Sequence, residues 1–332
     1  MGFKTNILIT GATGFIGSHL VKALLKSNLN VKVNALVRIS SDIAKLKSLG
    51  GINYLYGDLQ DKASLKKAIK GIDVLFHLAG ILGKHGLSES MCYAVNVEGT
   101  RNLLEVCAGN GQIRQFIYLS SAGVSGPNVE NANEGYLPNP SNIYERTKAR
   151  AESIVFDYYR ERDVPVTVLR PEFLYGPGDT HLLGLFKAIK KRMFFLIDGG
   201  QSLLHPTYIE DIIQALLACC GNTGTIGETY LIAGERSVTV KEFTGLIAKY
   251  LGVKRINRSL SAKTAAFIAR VFEFLLPILN IDPPLTLSRV KFFTESRSYD
   301  TLKARKGLGL QSFALEEGIK KTIEWYKSKG YL

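Results

Sequence analysis

A glycine run near the start of the chain constrains the fold more than any other feature. The run Gly11-Ala12-Thr13-Gly14-Phe15-Ile16-Gly17 follows the apolar residues 6–10 and begins an amphipathic helical pattern. When a strand, a glycine turn and a helix follow in this order, the backbone amides and the positive helix end can hold a pyrophosphate. We therefore predict a dinucleotide site whose contact residues are Gly11, Thr13, Gly14, Phe15, Ile16 and Gly17.

Short apolar runs alternate with helical patterns from residue 6 to about residue 180, which is typical of βαβ units. Strands are predicted at residues 6–10, 32–37, 53–56, 74–78, 115–119 and 166–169, and helices near Gly14, Asp42, Leu65, Val95, Tyr144 and Leu182. The pattern predicts an α/β fold with a doubly wound parallel sheet, a Rossmann domain, over residues 1–180. Residues 181–332 are predicted to form a smaller, mixed, mostly helical substrate domain, with residues 205–233 returning to the first domain.

The composition, with 46% hydrophobic and 21% charged residues, is that of a globular chain. The N-terminus runs into the first apolar stretch without a basic leader, so the cytoplasm is the predicted location. The four cysteines match neither a disulfide framework nor a zinc-ligand spacing, and we predict no metal site.

The formal net charge is +13, and the basic excess is larger after residue 180. Such an excess fits an anionic substrate, a phosphate-bearing cofactor, a membrane surface or a solvated exterior. A nucleic-acid partner is not predicted, because the basic residues are not clustered with interleaved aromatic residues.

Arg38 stands at the end of the second predicted strand, about 20 residues after the glycine run. An NAD site usually has a carboxylate at this place, whereas an arginine accommodates the 2′-phosphate of NADP. The first acidic residue after this strand is Asp42, so NADP(H) is favoured over NAD(H) as the cofactor.

Tyr144 and Lys148 are four residues apart and therefore share one face of a predicted helix. A nearby cation favours the phenolate, so we expect Lys148 to lower the pKa of Tyr144. Hydride transfer at carbon requires proton transfer at the attached oxygen, and Tyr144 can perform it while Ser121 orients that oxygen.

These motifs together resemble the extended short-chain dehydrogenase/reductase family, also called the NAD-dependent epimerase/dehydratase superfamily. The resemblance rests on the segments Thr10 to Gly17, Gly57-Asp58-Leu59, Phe76-His77-Leu78-Ala79-Gly80, Asn96-Val97-Glu98-Gly99-Thr100, Leu119-Ser120-Ser121-Ala122, Tyr144 with Lys148, Arg170-Pro171 and Tyr175-Gly176-Pro177-Gly178. The apolar residues 262–281 resemble the hydroxysteroid dehydrogenase and dihydroflavonol reductase branch, which handles bulky apolar ketones or alcohols.

The resemblance implies roles for matching positions. Tyr144 would be the general acid/base, Lys148 would bind the nicotinamide ribose, Ser121 would bind the substrate oxygen, and Asn96 would support the site. Asp58 and Leu59 would flank the adenine, Leu78, Ala79 and Gly80 would line the cofactor, and Pro171 and Phe173 would contact the nicotinamide. The family also implies a homodimer.

Glu172 departs from the family pattern, in which a small or apolar residue follows Arg-Pro. It either contacts a substrate hydroxyl or pairs with a structural arginine, since a buried carboxylate needs a partner. Leu82 and His205 are further candidate substrate contacts, although the segment around His205 reads mainly as structural.

Residues 262–281 are apolar, with charges at Lys263, Arg270 and Glu273. A membrane-spanning helix is disfavoured, because Arg270 and Glu273 would lie near mid-bilayer. The first expectation is an amphipathic helix that covers an apolar pocket, and the second is peripheral contact with a membrane surface.

The sequence thus predicts an NAD(P)-dependent oxidoreductase that interconverts a secondary alcohol and a ketone in a small-molecule substrate that is hydrophobic and cyclic. One alternative is a sugar-nucleotide epimerase or dehydratase that uses tightly bound NAD(P). An alternative of another class is a non-catalytic dinucleotide-binding sensor or assembly subunit.

Overall fold

The centre of the molecule is a seven-stranded parallel sheet. A computed structural model describes residues 4–82, 88–128, 131–254, 256, 258–276 and 283–332. The sheet contains β1 (Thr5–Thr10), β2 (Val31–Val37), β3 (Ile52–Tyr56), β4 (Val74–His77), β5 (Gln115–Leu119), β6 (Val166–Pro171) and β11 (Thr229–Ile232). Its order is β3-β2-β1-β4-β5-β6-β11, and the predicted doubly wound α/β fold is confirmed.

Helices cover both faces of the sheet because alternate strand residues point to opposite sides. In β1, Ile7 and Ile9 pack into one buried cluster and Leu8 packs into the other. The first half of the chain contributes α1 (Phe15–Lys26), α2 (Ala44–Lys47), α3 (Lys62–Ala68), α4 (Glu89–Tyr93), α5 (Gly99–Asn110) and α6 (Ile143–Arg162).

Two helices begin earlier than the sequence predicted. The side chain of Asp61 accepts a hydrogen bond from the Ala63 backbone, so α3 begins at Lys62 rather than near Leu65. Ser88 caps α4 in the same way, and a π-helical turn over residues 94–98 joins α4 to α5. The predicted helix start near Val95 therefore lies inside a longer helical segment.

The second half of the chain is built from short strands and helices. The strands are β7 (Leu174–Tyr175), β8 (Leu196–Ile197), β9 (Leu203–Leu204), β10 (Thr207–Tyr208), β12 (Val238–Thr239) and β13 (Ser259–Leu260). The helices are α7 (Leu183–Lys190), α8 (Ile209–Cys219), α9 (Val240–Tyr250), α10 (Ala262–Leu275), α11 (Leu287–Thr294), α12 (Leu302–Leu308) and α13 (Leu315–Ser328). Within residues 205–233, β11 forms an edge of the main sheet beside β6.

The apolar segment predicted at residues 262–281 is a helix over its first part, since α10 ends at Leu275. Residues 277–281 lie outside the described part of the chain. None of the described helices is both long and apolar enough to cross a membrane.

Candidate active site

A cavity of about 760 Å³ lies at the carboxyl ends of the central strands. The strand order reverses beside β1, between β1 and β4, which is where open α/β sheets bind their ligands. We name the two ends of the cavity after the predicted roles of the residues that line them, the cofactor end and the substrate end. The cofactor end is lined by residues Gly11, Gly14, Phe15, Ile16, Gly17, Leu78 and Gly80, and the substrate end by residues that include Leu82, Ser121, Tyr144, Glu145, Glu172, Phe173, Phe292 and Arg297.

The glycine turn needs glycine for steric reasons. Gly11 has a positive φ of +70°, and a Cβ atom there would lie 2.7 Å from the backbone nitrogen of Ala79. A Cβ atom on Gly17 would lie 2.2 Å from the carbonyl oxygen of Gly11. Helix α1 begins at Phe15 without a side-chain cap at Gly14, so its first amides are available to an anion at the cofactor end.

An unsatisfied hydroxyl also marks this part of the cavity. Ser120 lines the cavity and is only 2% exposed, and its Oγ has no hydrogen-bond partner among the described residues. Since buried polar atoms are normally hydrogen-bonded, this atom fits a polar group of a bound ligand. The glycine turn and Ser120 are thus consistent with a dinucleotide.

Asn96 supports the loop that follows β4. Its Nδ2 donates to the carbonyl oxygen of Ile81 and to Oγ1 of Thr147, both at 3.0 Å, and its Oδ1 accepts from the Ile81 amide at 2.8 Å. These bonds attach the loop to α6, the helix that carries Tyr144. The geometry suits the supporting role that the family resemblance implied.

Tyr144 and Ser121 lie together on the cavity wall, where the Ser121 hydroxyl acts to lower the pKa of Tyr144. Ser121 follows β5, and its Oγ accepts from the Gly123 amide at 3.1 Å, which fixes its position. Lys148, one turn further along α6, donates its Nζ to the Leu119 carbonyl oxygen at 2.6 Å. The three side chains that the sequence singled out therefore lie at one site, on the wall of the same cavity.

The pKa of Tyr144 is shifted in the direction opposite to our expectation. Burial raises it to about 12, the hydrogen bond with Ser121 lowers it, and Glu145 and Glu172 raise it further. Burial also lowers the pKa of Lys148 to about 7, with Glu152 acting in the other direction. The predicted lowering by Lys148 is wrong here, because desolvation disfavours both charged forms. Tyr144 therefore carries its proton at neutral pH.

A buried charged cluster lies beside this pair. Nη2 of Arg297 is 2.9 Å from Oε1 of Glu145, and Oε2 of Glu145 accepts from the Ser141 amide at 2.7 Å. Burial raises the pKa of Glu172 to about 7, while the neighbouring Arg297 lowers it. Near neutral pH the Glu172 carboxyl is therefore present in both forms. From its place on the cavity wall it can donate a hydrogen bond when protonated and accept one when ionised.

The structure places other predicted residues differently. His205 lies outside the cavity lining, with Nε2 3.2 Å from the Gly234 carbonyl oxygen and Nδ1 accepting from the Tyr299 amide at 3.3 Å. Both ring nitrogens are thus occupied by backbone groups, and the predicted substrate contact is not supported. Leu82 does line the cavity and is 43% exposed.

The predicted adenine-side residues lie beyond this lining, next to β2 and β3. Arg38 is exposed at the end of β2 and forms no ion pair within the described residues. The Asp58 carboxylate accepts from the Gln60 amide at 2.9 Å, and Leu59 is buried against Gly99. Thr13 is exposed in the glycine turn, and Ala79 lies directly against Gly11.

Sequence reasoning missed several residues of the substrate end. Glu145 is adjacent to Tyr144 in the chain, which was an available signal, but Arg297, Lys291 and Phe292 come from a distant segment. No group of three or more candidate metal ligands occurs among the described residues. Pro171 and Phe173, which were predicted to contact the nicotinamide, line the cavity.

The fold and this site define an NAD-dependent enzyme of the oxidoreductase type, as the sequence predicted. Residues 8–261 match the model of the 3-beta hydroxysteroid dehydrogenase/isomerase family, and the chain belongs to this family. The resemblance to the extended short-chain dehydrogenase/reductases is thereby confirmed.

Individual relatives cover nearly the whole chain. The 3beta-hydroxysteroid-dehydrogenase/decarboxylase isoform 2 of Arabidopsis thaliana is 29% identical over 96% of this chain, which spans 61% of that protein's length. Sterol demethylase protein B of Methylococcus capsulatus is 28% identical over 98% of this chain and 99% of its own. The structure of UDP-glucuronic acid 4-epimerase from Bacillus cereus has a TM-score of 0.78 and 25% identity, covering 98% of this chain and 100% of that one.

Proposed function

We propose that the protein interconverts a secondary alcohol and a ketone in an apolar cyclic substrate, with NADP(H) as the preferred cofactor. The observation that carries the proposal is the Ser121–Tyr144 pair, which faces a cavity end with the apolar side chains Phe173, Leu174 and Phe292. Two relatives, named for steroid and sterol chemistry, support an apolar ring system as the substrate.

Each side chain has a defined task in the reduction direction. Ser121 donates a hydrogen bond to the substrate oxygen, and Tyr144, which carries its proton at neutral pH, delivers that proton as negative charge develops on the oxygen. A nicotinamide dinucleotide, when bound at the cofactor end, would supply the hydride that the carbonyl carbon accepts. In the oxidation direction the proton returns from the alcohol to Tyr144.

The cofactor preference depends on Arg38. Its guanidinium is exposed and without an ion pair in the described structure, so it is free to bind a 2′-phosphate in a bidentate manner. The Asp58 carboxylate accepts a hydrogen bond from the Gln60 amide of its own loop.

An Arg38→Ala variant tests this preference by isothermal titration with NADPH and NADH. We expect the NADPH dissociation constant to rise about tenfold to a hundredfold, because a charge-assisted hydrogen bond contributes about 1.5–3 kcal/mol. NADH affinity should stay unchanged, and Arg160→Ala, on a distant surface of α6, should change neither. Equal or tighter binding of NADH by the wild-type protein would refute the preference.

Sugar-nucleotide epimerisation is the second candidate, favoured by the similarity to UDP-glucuronic acid 4-epimerase. Arg297 is already paired with Glu145, however, so it is a poor partner for a diphosphate. Panels of sterols, flavonoids and UDP-sugars should be screened for absorbance change of the nicotinamide. Net consumption of NADPH with a ketone supports the oxidoreductase, whereas conversion of a UDP-sugar without net cofactor change supports the epimerase.

A further inference from the structure

Helix α10 has an outward face that the fold leaves uncovered. Lys263, Phe267, Arg270 and Phe274 follow one another at spacings of four, three and four residues, so they form one stripe along the helix. Phe267 is 67% exposed and Phe274 is 74% exposed, and both cations are exposed as well. We call these four residues the α10 stripe.

The opposite face of α10 holds the helix in the protein. Ala265 and Ala269 are fully buried and pack in one cluster with Val290 of α11 and Ile197 of β8. The small alanines allow close approach, so the large apolar residues are not needed for this packing. Phe267 and Phe274 therefore lie outside this packed face, with most of each side chain exposed.

The charges of the helix favour one kind of partner. The single acidic residue of α10, Glu273, turns toward α11 and accepts a hydrogen bond from the Leu287 amide at 3.1 Å. The α10 stripe thus presents phenylalanines and cations without an acidic neighbour from its own helix. Phenylalanines that can enter the acyl boundary, flanked by basic residues that can meet lipid phosphates, are typical of helices lying in a membrane interface.

Helix α10 packs next to a helix that lines the cavity. Helix α11, on which α10 packs, contributes Ser288, Lys291 and Phe292 to the substrate end of the cavity. We propose that the α10 stripe docks the protein on an anionic lipid surface and brings the substrate end close to the membrane. The overall charge of +13 adds a longer-range attraction in the same direction.

Vesicle co-sedimentation of the full chain, without substrate, tests the docking independently of the proposed reaction. The protein should bind vesicles of phosphatidylcholine containing phosphatidylglycerol, bind phosphatidylcholine alone much more weakly, and dissociate at high salt. The double variant Phe267→Ser/Phe274→Ser should lower the partition coefficient more than about tenfold, since each phenylalanine loses its insertion. Leu137→Ser, which changes an 81% exposed residue elsewhere, is the control and should bind normally.

Two charge-reversal variants distinguish binding through the α10 stripe from attraction due to the overall net charge. Lys263→Glu/Arg270→Glu should weaken binding severalfold more than Lys306→Glu/Lys329→Glu, which changes the net charge equally at exposed lysines of α12 and the C-terminal end. NADPH titration and a circular-dichroism melt of each variant establish that it is folded.

Three results would overturn the proposal. They are the absence of binding to anionic vesicles, equal binding by the double serine variant, and equal weakening by both charge-reversal pairs. Concentration-dependent association in sedimentation velocity that disappears in the double serine variant, with no vesicle binding, would assign the α10 stripe to contact between copies of the chain.

Discussion

The two ends of the cavity are built in different ways. The cofactor end is lined mainly by one short turn of the main chain, residues 11–17. Its glycines allow close approach of backbone to backbone. At the substrate end, side chains from widely separated segments meet, with Glu145, Glu172 and Arg297 buried side by side. Recognition by backbone requires glycines at fixed spacing, whereas recognition by side chains requires tertiary neighbours.

The difference extends to electrostatics. The cofactor end offers amides and a helix end, whose partial charges do not depend on pH. The substrate end holds groups with shifted pKa values, among them Tyr144 at about 12 and Glu172 at about 7, both raised mainly by burial. Changes at the first end should therefore alter affinity for the cofactor, and changes at the second should alter chemistry and pH dependence.

Tyr144→Phe should have the largest effect and would locate the chemistry at the substrate end. Removing the proton donor should lower kcat about 10²–10⁴-fold, while the NADPH dissociation constant remains unchanged. Steady-state kinetics on a substrate found in the screen, together with isothermal titration, measure both quantities. Tyr331→Phe, at the end of the chain, is the matched control. Full turnover by the Tyr144→Phe variant would contradict the mechanism.

Gly17→Ala should affect the cofactor end instead. The new Cβ atom would lie 2.2 Å from the Gly11 carbonyl oxygen, so the turn must shift, at a cost of about 1–3 kcal/mol. We expect the NADPH dissociation constant to rise about tenfold to a hundredfold. At Gly14 the same contact would be 3.2 Å, so Gly14→Ala should have a smaller effect.

Gly184→Ala provides the control for this series, because an added Cβ atom there has no neighbour within 4 Å among the described residues. It should bind NADPH like the wild-type protein. If Gly14→Ala and Gly17→Ala raised the dissociation constant equally, the steric explanation of the turn would fail.

Glu172→Gln should have the smallest effect and would appear in the pH dependence of stability. The pKa of Glu172 is raised from 4.5 to about 7, chiefly by burial. Between these values the folded chain binds more protons than the unfolded chain, so the free energy of unfolding falls as pH rises. The glutamine of the variant does not titrate, so its free energy of unfolding does not fall in this way. The difference in free energy of unfolding, variant minus wild type, should therefore increase by on the order of 2 kcal/mol between the two pKa values.

Urea unfolding of both proteins from about pH 5 to about pH 8 measures this difference. Taking the difference between the variant and the wild-type protein removes the contributions of the other titrating groups. Two parallel curves would show that Glu172 is ionised throughout and held by Arg297 as a structural partner, which was the other interpretation of this residue from the sequence.

The fold could be predicted to a large extent because its signals are local. Buried parallel strands are continuous apolar runs, so the six predicted strands match β1 to β6 within one or two residues. The strand at residues 229–232 lies far along the chain from its partner β6, and only a return of the whole segment 205–233 was expected. The starts of α3 and α4 were misplaced because single capping side chains, Asp61 and Ser88, decide them.

The site could be predicted only in part. The positions of Ser121, Tyr144 and Lys148 follow from strand ends and helix periodicity, so the sequence identified them as a group. The pKa of Tyr144 could not be predicted, since it depends on how completely the surrounding residues exclude water. His205 was only a further candidate substrate contact, in a segment interpreted mainly as structural, and its ring nitrogens contact the backbone of Gly234 and Tyr299.

The sequence by itself determined the sheet, the glycine turn and the three side chains that meet at the candidate site, because each depends on spacing over a few residues. Only the tertiary structure decided which charges surround Tyr144 and which face of α10 remains exposed. These properties depend on burial and on contacts between distant segments, such as Glu145 with Arg297 and Ala269 with Val290. Solvent exclusion is a property of the packed molecule, and no local pattern in the chain specifies it.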